Sequence, residues 1–243
     1  MDHADTNYLQ DAIPLLPRKP AIEFAKRHTI YGRGQPCAHL YLVKSGRVVI
    51  SNSVDGAVPA ITRIVGPGNF FGETSLIGLP DASETATALD QARVMQWDRT
   101  AIELHITNEP RLGLALLSHF VRRCAEMNAR IEAFALRKTP ERVMLGLLQL
   151  AGSLGTPSNG DMRLSPLTHQ TIAEYVGTSR EIVTSQMTEL RRLGMLQYSR
   201  RYIDVNVSAM REALQKQGID GWPDGGQNGR ARAIQAIDLA VAK

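Results

Sequence analysis

The stretch LTHQTIAEYVGTSREIVTSQMTELRRLG, Leu167 to Gly194, decides how this chain is read. It predicts two short helices around a joint at Val176-Gly177-Thr178. Thr168 is placed to cap the first helix, whose inner face is Ile172, Ala173 and Val176. Gly177 supplies the backbone freedom of a tight turn, and Ala173 is small enough to let a second helix cross close by. Ser179 is placed to cap that helix, which turns Val183, Met187 and Leu190 inward. Such a pair is a helix-turn-helix. The outer face of its second helix then carries Arg180, Glu181, Thr184, Ser185 and Thr188.

These residue types fit the chemistry of B-DNA. A helix enters the major groove and reads base edges with residues near its N-terminus. Arg donates two hydrogen bonds to guanine O6 and N7, and Glu accepts one from cytosine N4. Arg180, Glu181 and Ser185 are therefore expected to read bases. Thr168, His169, Gln170, Thr171, Ser179, Arg191, Arg192, Arg200 and Arg201 are expected at phosphates or base edges, where they set affinity and register. The bland alternative is a packed helix pair with a solvated charged face. Two caps, a glycine turn, a small residue at the crossing and a basic hairpin behind them favour DNA.

Composition agrees without proving it. The formal charge is +4, a mild bias toward polyanions. Residues 138–211 hold nine Lys/Arg against six Asp/Glu, so placement matters more than the total. No apolar run approaches the ~20 residues of a membrane span, and the N-terminus lacks the basic-then-apolar order of a secretion signal. A cytoplasmic protein is expected. Two cysteines, Cys37 and Cys124, make neither a disulfide framework nor a four-cysteine metal cluster, and are read as reduced, mostly buried thiols. There is no nucleophile–base pair, no metal-ligand spacing and no Gly-rich phosphate loop, so an enzyme is not expected.

Upstream, residues 28–97 read as a β-rich unit. HLYLVKSGRVVISNS and AITRIVG are β-branched runs, punctuated by turns at Gly32-Arg33-Gly34, Lys44-Ser45-Gly46, Asp55-Gly56 and Gly66-Pro67-Gly68. Asn108-Glu109-Pro110 is expected to start a long helix, with Asn108 as cap, running through Arg137. On it Gly113, Leu117, Val121, Cys124, Asn128, Ile131 and Ala135 are read as a two-stranded coiled-coil seam, the steps alternating between four and three from Leu117 onward. Leu116, Phe120, Met127 and Phe134 form a second face, expected to pack on the β unit. The helix is read as the spine of a homodimer, with Leu117, Val121, Cys124, Asn128 and Ile131 as its seam. Thr139-Pro140-Glu141 is expected to start the next helix with Thr139 as cap, GSLGTPSNGD to be a loop, MLQYSRRYIDVNV a hairpin, and RARAIQAIDLAVAK a short terminal helix. The expected domains are 1–107 (β-roll sensor), 108–137 (dimerisation helix), 138–211 (winged helix-turn-helix) and 212–243 (C-terminal extension).

Over residues 24–207 this arrangement resembles the cyclic-AMP receptor protein/fumarate-nitrate reduction regulator (CRP/FNR) superfamily. The likeness rests on Gly46-Arg47-Val48, on Pro-Gly-x-Phe-Phe-Gly-Glu at 67–73, on the spine and on Thr-Ser-Arg-Glu at 178–181. It implies an α+β protein: a cyclic-nucleotide-binding-type β-roll, a long dimerisation helix and a C-terminal winged helix-turn-helix. It also implies a palindromic double-stranded DNA operator and RNA polymerase as partners. The half-site should share its G and C with the cyclic-AMP-binding members and differ where Ser185 replaces their further Arg.

The effector pocket implied by the resemblance comprises Phe71, Gly72, Glu73, Ser83, Glu84 and Thr85, with Met127 and Asn128 from the spine. Nucleotide-binding members carry an Arg that pairs with the cyclic phosphate; here Asp81-Ala82-Ser83-Glu84-Thr85-Ala86 offers none, and Glu84 would repel it. Cyclic AMP is therefore not the expected ligand. The N-terminal cysteine cluster of iron–sulfur members is absent. For haem, Cys37-Ala38-His39 offers a Cys-x-His pair and His28, His105 and His119 are available, but Cys37 is expected between two early strands, away from the cassette. No cofactor is expected. The alternatives are a ligand-binding or scaffold protein with a vestigial DNA domain, and a haem- or thiol-gated sensor of the same family.

Overall fold

The computed structural model describes residues 12–53, 60–79, 81–159 and 161–219. The turn expected at Asp55-Gly56 and the terminal helix expected at residues 230–243 lie outside them. The described residues divide into two compact units. One comprises 12–52 and 64–124, the other 53, 60–63 and 125–219.

The first unit is a β-roll. Its strands are β1 (Ile22–Phe24), β2 (Thr29–Tyr31), β3 (His39–Ser45), β4 (Val48–Asn52), the end of β5 (Ala60–Val65, whose residues 60–63 fall in the second unit), β6 (Phe70–Phe71), β7 (Thr85–Ala88) and β8 (Ala92–Asp98). They form two four-stranded sheets, ordered β1-β8-β3-β6 and β2-β7-β4-β5. The run HLYLV in β3 is apolar on both of its faces, the signature of a strand covered on both sides. Tyr41 and Val43 point one way, into a core with Tyr31, Val48, Ile50, Phe71, Ala86, Ala88 and Val94 between the sheets. Leu40 and Leu42 point the other way and join Phe70 and Trp97. Helices α1 (Arg99–Asn108) and α2 (Pro110–Leu136) cover that face through Ile102, Leu112, Ala115 and Leu116.

Helix α1 corrects the expectation that Asn108 caps the spine. Asp98 ends β8 and caps α1, its Oδ1 accepting from the Ala101 N–H at 2.8 Å, so Asn108 is the last residue of a helix already formed. The spine starts at Pro110, whose missing N–H costs nothing there. The N-terminal segment also enters the core. Ala12 and Leu16 are buried, Trp97 Nε1 donates to Pro17 O at 2.8 Å, and a His105 ring nitrogen lies 2.7 Å from Leu15 O.

The second unit holds the rest of α2, then α3 (Thr139–Leu154), β9 (Thr156–Ser158), β10 (Asp161–Leu164), α4 (His169–Val176), α5 (Arg180–Arg192), β11 (Leu196–Tyr198), β12 (Ile203–Val205) and α6 (Val207–Gln215). Thr139 is the first helical residue of α3 and Lys138 takes the cap position, with the Glu141 carboxylate accepting from the Lys138 N–H at 3.0 Å. GSLGTPSNGD is not simply a loop: Thr156–Ser158 pairs with Asp161–Leu164, extending the expected hairpin to a sheet of order β11-β12-β10-β9. Helix α6, unforeseen in the sequence, is capped by Asn206 and buries Met210 and Leu214.

The expected second face of the spine also needs correcting. Leu116 is buried and Phe120 packs on the core of the first unit, but Met127 is exposed. Phe134 belongs to the second unit, where its ring meets Gly177 and the guanidinium groups of Arg130 and Arg142. Arg130 donates to the carbonyls of Ile61, Thr62 and Tyr175 and lies 4.1 Å above the Tyr175 ring. No helix among the described residues is long and apolar enough to cross a membrane.

Candidate nucleic-acid interface and effector cassette

The two caps and the turn form as the residue types dictate. Thr168 Oγ1 accepts from the Thr171 N–H at 3.0 Å, and Ser179 Oγ from the Ile182 N–H at 3.4 Å. Gly177 closes α4 with φ of +65°, a conformation L side chains rarely adopt. Ile172, Ala173, Val176, Val183, Met187 and Leu190 are buried between the helices. Burying those six leaves Arg180, Glu181, Thr184, Ser185 and Thr188 on the exposed side of α5.

This row is pre-arranged. Thr184 and Thr188 hydroxyls donate back to the carbonyls of Arg180 and Thr184, both at 2.9 Å. Glu181 is held below the usual carboxylate range, first by its own backbone N–H and then by the Ser179 hydroxyl, so it stays an acceptor at neutral pH. His169 Nδ1 lies 2.8 Å from Thr184 Oγ1 and its ring meets Tyr198 edge-on at 5.8 Å. Burial, and then Arg180, push its pKa below the ordinary histidine value.

The expected phosphate contacts are distributed around this row. Arg191 stands over the Tyr198 ring at 5.1 Å. Arg192 is engaged by Glu189 at 2.6 and 2.8 Å; both side chains are exposed, and such a pair is exchanged for a phosphate at little cost. Gln170 donates to Glu174 at 2.8 Å, and Thr168 and Thr171 hydroxyls share a 2.8 Å hydrogen bond. Arg200 and Arg201 are exposed at the tip of the β11–β12 hairpin. Sequence reasoning missed Arg163, whose guanidinium grips Asp204 through two 2.6 Å hydrogen bonds and covers the Tyr202 ring, bracing that hairpin.

In the first unit, Tyr31 connects the cassette residues. Its hydroxyl donates to Glu84 Oε1 at 3.0 Å, and its ring stacks with Tyr41 at 5.7 Å and Phe71 at 6.2 Å. Thr85 Oγ1 accepts from the Arg33 N–H at 3.2 Å. Glu73 forms an ion pair with Arg123 of α2. Arg123 was not foreseen, although Glu73 is the sole charge in the run 64–80, and a carboxylate in such a segment calls for a cation. Cys37 is not away from the cassette: its Sγ lies 3.2 Å from Thr74 Oγ1 and 3.8 Å from Gly72 O. The strand β3 that follows Cys37 pairs with β6, which brings the thiol back beside Gly72. Among the described residues no group of His, Cys, Asp and Glu side chains is placed to hold a metal ion. Met127 and Asn128 are exposed on the part of α2 that belongs to the second unit.

The seam positions Leu117, Val121, Cys124, Asn128 and Ile131 are all exposed, so of the two thiols expected to be buried only Cys37 is, Cys124 lying on the outer stripe of α2. The apolar side chains at 117, 121 and 131 are 58%, 59% and 62% accessible.

Two family descriptions match the chain, "Cyclic nucleotide-binding domain" over residues 21–106 and "Crp-like helix-turn-helix domain" over 141–215. A CRP-like cAMP-activated global transcriptional regulator of Mycobacterium tuberculosis is 31% identical over 176 residues, covering 72% of this chain and 79% of the relative. A cyclic AMP receptor protein of Thermus thermophilus is 25% identical, covering 80% of this chain and 90% of that one. Among solved structures, FixK2 from Bradyrhizobium japonicum superposes with a TM-score of 0.70 at 23% identity, covering 84% of this chain and 98% of that one. TTHA1359, a CRP/FNR-family regulator from Thermus thermophilus, has a TM-score of 0.64 at 26% identity, covering 80% and 98%. The chain belongs to the CRP/FNR family: it is a DNA-binding transcription regulator and not an enzyme.

Proposed function

We propose that this regulator acts as a cytoplasmic homodimer on a palindromic operator, recruits or obstructs RNA polymerase there, and is not gated by cyclic AMP in the usual way. The observation that carries the DNA reading is the exposed, pre-arranged row on α5. Arg180 reads a guanine and Glu181 a cytosine in each half-site, while Ser185 faces a third base. Arg191, Arg192, Arg200, Arg201 and the Thr168–Thr171 group hold phosphates. The exposed apolar seam on α2 supports dimerisation, because a soluble helix rarely leaves a regular apolar stripe in water.

The reading of the effector site rests on Glu84. A second carboxylate stands where an anionic nucleotide needs a cation, and Tyr31, Tyr41 and Phe71 already fill the space between the sheets. The 31% identity to a relative named as cAMP-activated favours the second reading, nucleotide gating. Selection of sites from a random duplex pool by ligand-free protein, repeated with cyclic AMP, separates the two. A palindrome recovered without ligand and unmoved by cyclic AMP is the expected result. Recovery only with cyclic AMP overturns the reading of Glu84.

A further inference from the structure

His169 sits where the two helices of the DNA-binding pair meet the hairpin, and its hydrogen-bonding state can be worked out. A threonine hydroxyl has one proton to give. Thr184 gives its proton to the Arg180 carbonyl at 2.9 Å, so at 2.8 Å from His169 Nδ1 it can only accept. On that pairing we assign the neutral imidazole as the Nδ1–H tautomer. Its Nε2 carries a lone pair and has no hydrogen-bond partner among the described residues. As an acceptor, Nε2 has nothing to offer a phosphate oxygen. As N–H of the imidazolium it becomes a charge-assisted donor, without disturbing the bond to Thr184.

We propose that His169 is a proton-coupled phosphate contact, taking up a proton as DNA docks, so that DNA affinity rises as pH falls. This rests on the exposed face of α5 being the DNA interface. The groups facing the ring are Arg180 and Thr184 from α5 and Tyr198 from β11, with Arg191 above Tyr198. Partial burial, and then Arg180, disfavour the imidazolium in the free protein. A phosphate brought alongside offsets that repulsion and raises the affinity for the proton. Linkage then sets the sign: the extra affinity is fully present below the pKa of the free protein and is lost as pH rises through that of the complex. His169 is the one histidine after residue 119, so no other imidazole in the second unit confuses the measurement.

The test is fluorescence anisotropy at constant salt between about pH 6 and pH 8. Two duplexes of equal length are used: the palindrome selected above and a shuffled one. Wild-type affinity for both should fall with rising pH, by at most about tenfold per pH unit for each imidazole coupled. His169→Asn keeps an N–H for Thr184 but cannot gain a proton; it should be flat at the weak, high-pH level. His169→Arg should be flat at the tight level. Arg180→Ala should lose the preference between the duplexes and keep the slope. A flat wild-type profile, or a slope that survives His169→Asn, overturns the proposal. A wild-type slope without any preference between duplexes sinks the base-reading assignment of Arg180 and Glu181 and leaves His169 standing.

Discussion

Gly177 shows how much one residue carries. Its φ of +65° penalises any L side chain, and an added Cβ would sit 2.5 Å from Phe134 Cε1. Gly194 has a similar φ of +70° but opens onto space. Gly194→Ala should therefore cost only the left-handed conformation, about 1–2 kcal/mol. Gly177→Ala should cost that and the displacement of Phe134, by roughly 1 kcal/mol more. Urea unfolding of the two variants checks the order; equal losses would mean Phe134 yields freely. His169 acts on folding and on DNA with opposite signs. Its pKa is depressed in the folded chain, so acid favours the unfolded state through this group, whereas acid favours the DNA complex.

At the scale of elements, α2 does two things along one length. Toward its start Leu112, Ala115 and Leu116 are buried under the β-roll, and toward its end Arg130 and Phe134 hold the turn of the helix-turn-helix. Arg130 is a partly buried cation whose donors meet three carbonyls and whose plane lies on Tyr175, a phenol that burial pushes up to about 12. Its remaining stripe is apolar and exposed. Glu at both 121 and 131 should leave the protomer folded, since both side chains are exposed in it, and should convert the proposed dimer to monomer by placing like charges across the seam. Sedimentation equilibrium decides this. A Val121→Glu/Ile131→Glu variant that still sediments as a dimer would remove the seam from α2.

At the scale of the whole molecule, the proposed dimer and the proposed base reading combine into a spacing. Two recognition helices about one DNA turn apart, ~34 Å, require half-sites on the same face of the duplex. Inserting about half a turn, ~5 base pairs, between them should therefore reduce specific affinity by roughly a hundredfold or more, the loss expected when two linked contacts become one. A full-turn insertion separates rigid spacing, where affinity stays lost, from flexible spacing, where it returns. Gel-shift titration of the three duplexes gives the answer. Tolerance of the half-turn insertion would show each protomer binding alone.

Local signals in the chain determined the helix-turn-helix almost completely. Thr168, Gly177 and Ser179 are caps and a turn whose chemistry acts over three or four residues, and the buried faces of α4 and α5 follow from periodicity. The β-roll was legible for the same reason, through β-branched runs between glycine turns. Helix α1 was missed because its cap, Asp98, closes a strand with no break between them. The pairing of Glu73 with Arg123, the closeness of Cys37 to Gly72, the grip of Phe134 on Gly177 and the bond from His169 to Thr184 were not legible. Each joins residues 15 to 50 positions apart, and a sequence shows which groups need partners but not which ones the packed chain brings within reach. The sequence by itself determined the class of protein and the row of side chains left exposed on α5. Only the tertiary structure decided which of those side chains are already engaged, because hydrogen bonds and ion pairs form at distances of a few ångströms that folding alone creates.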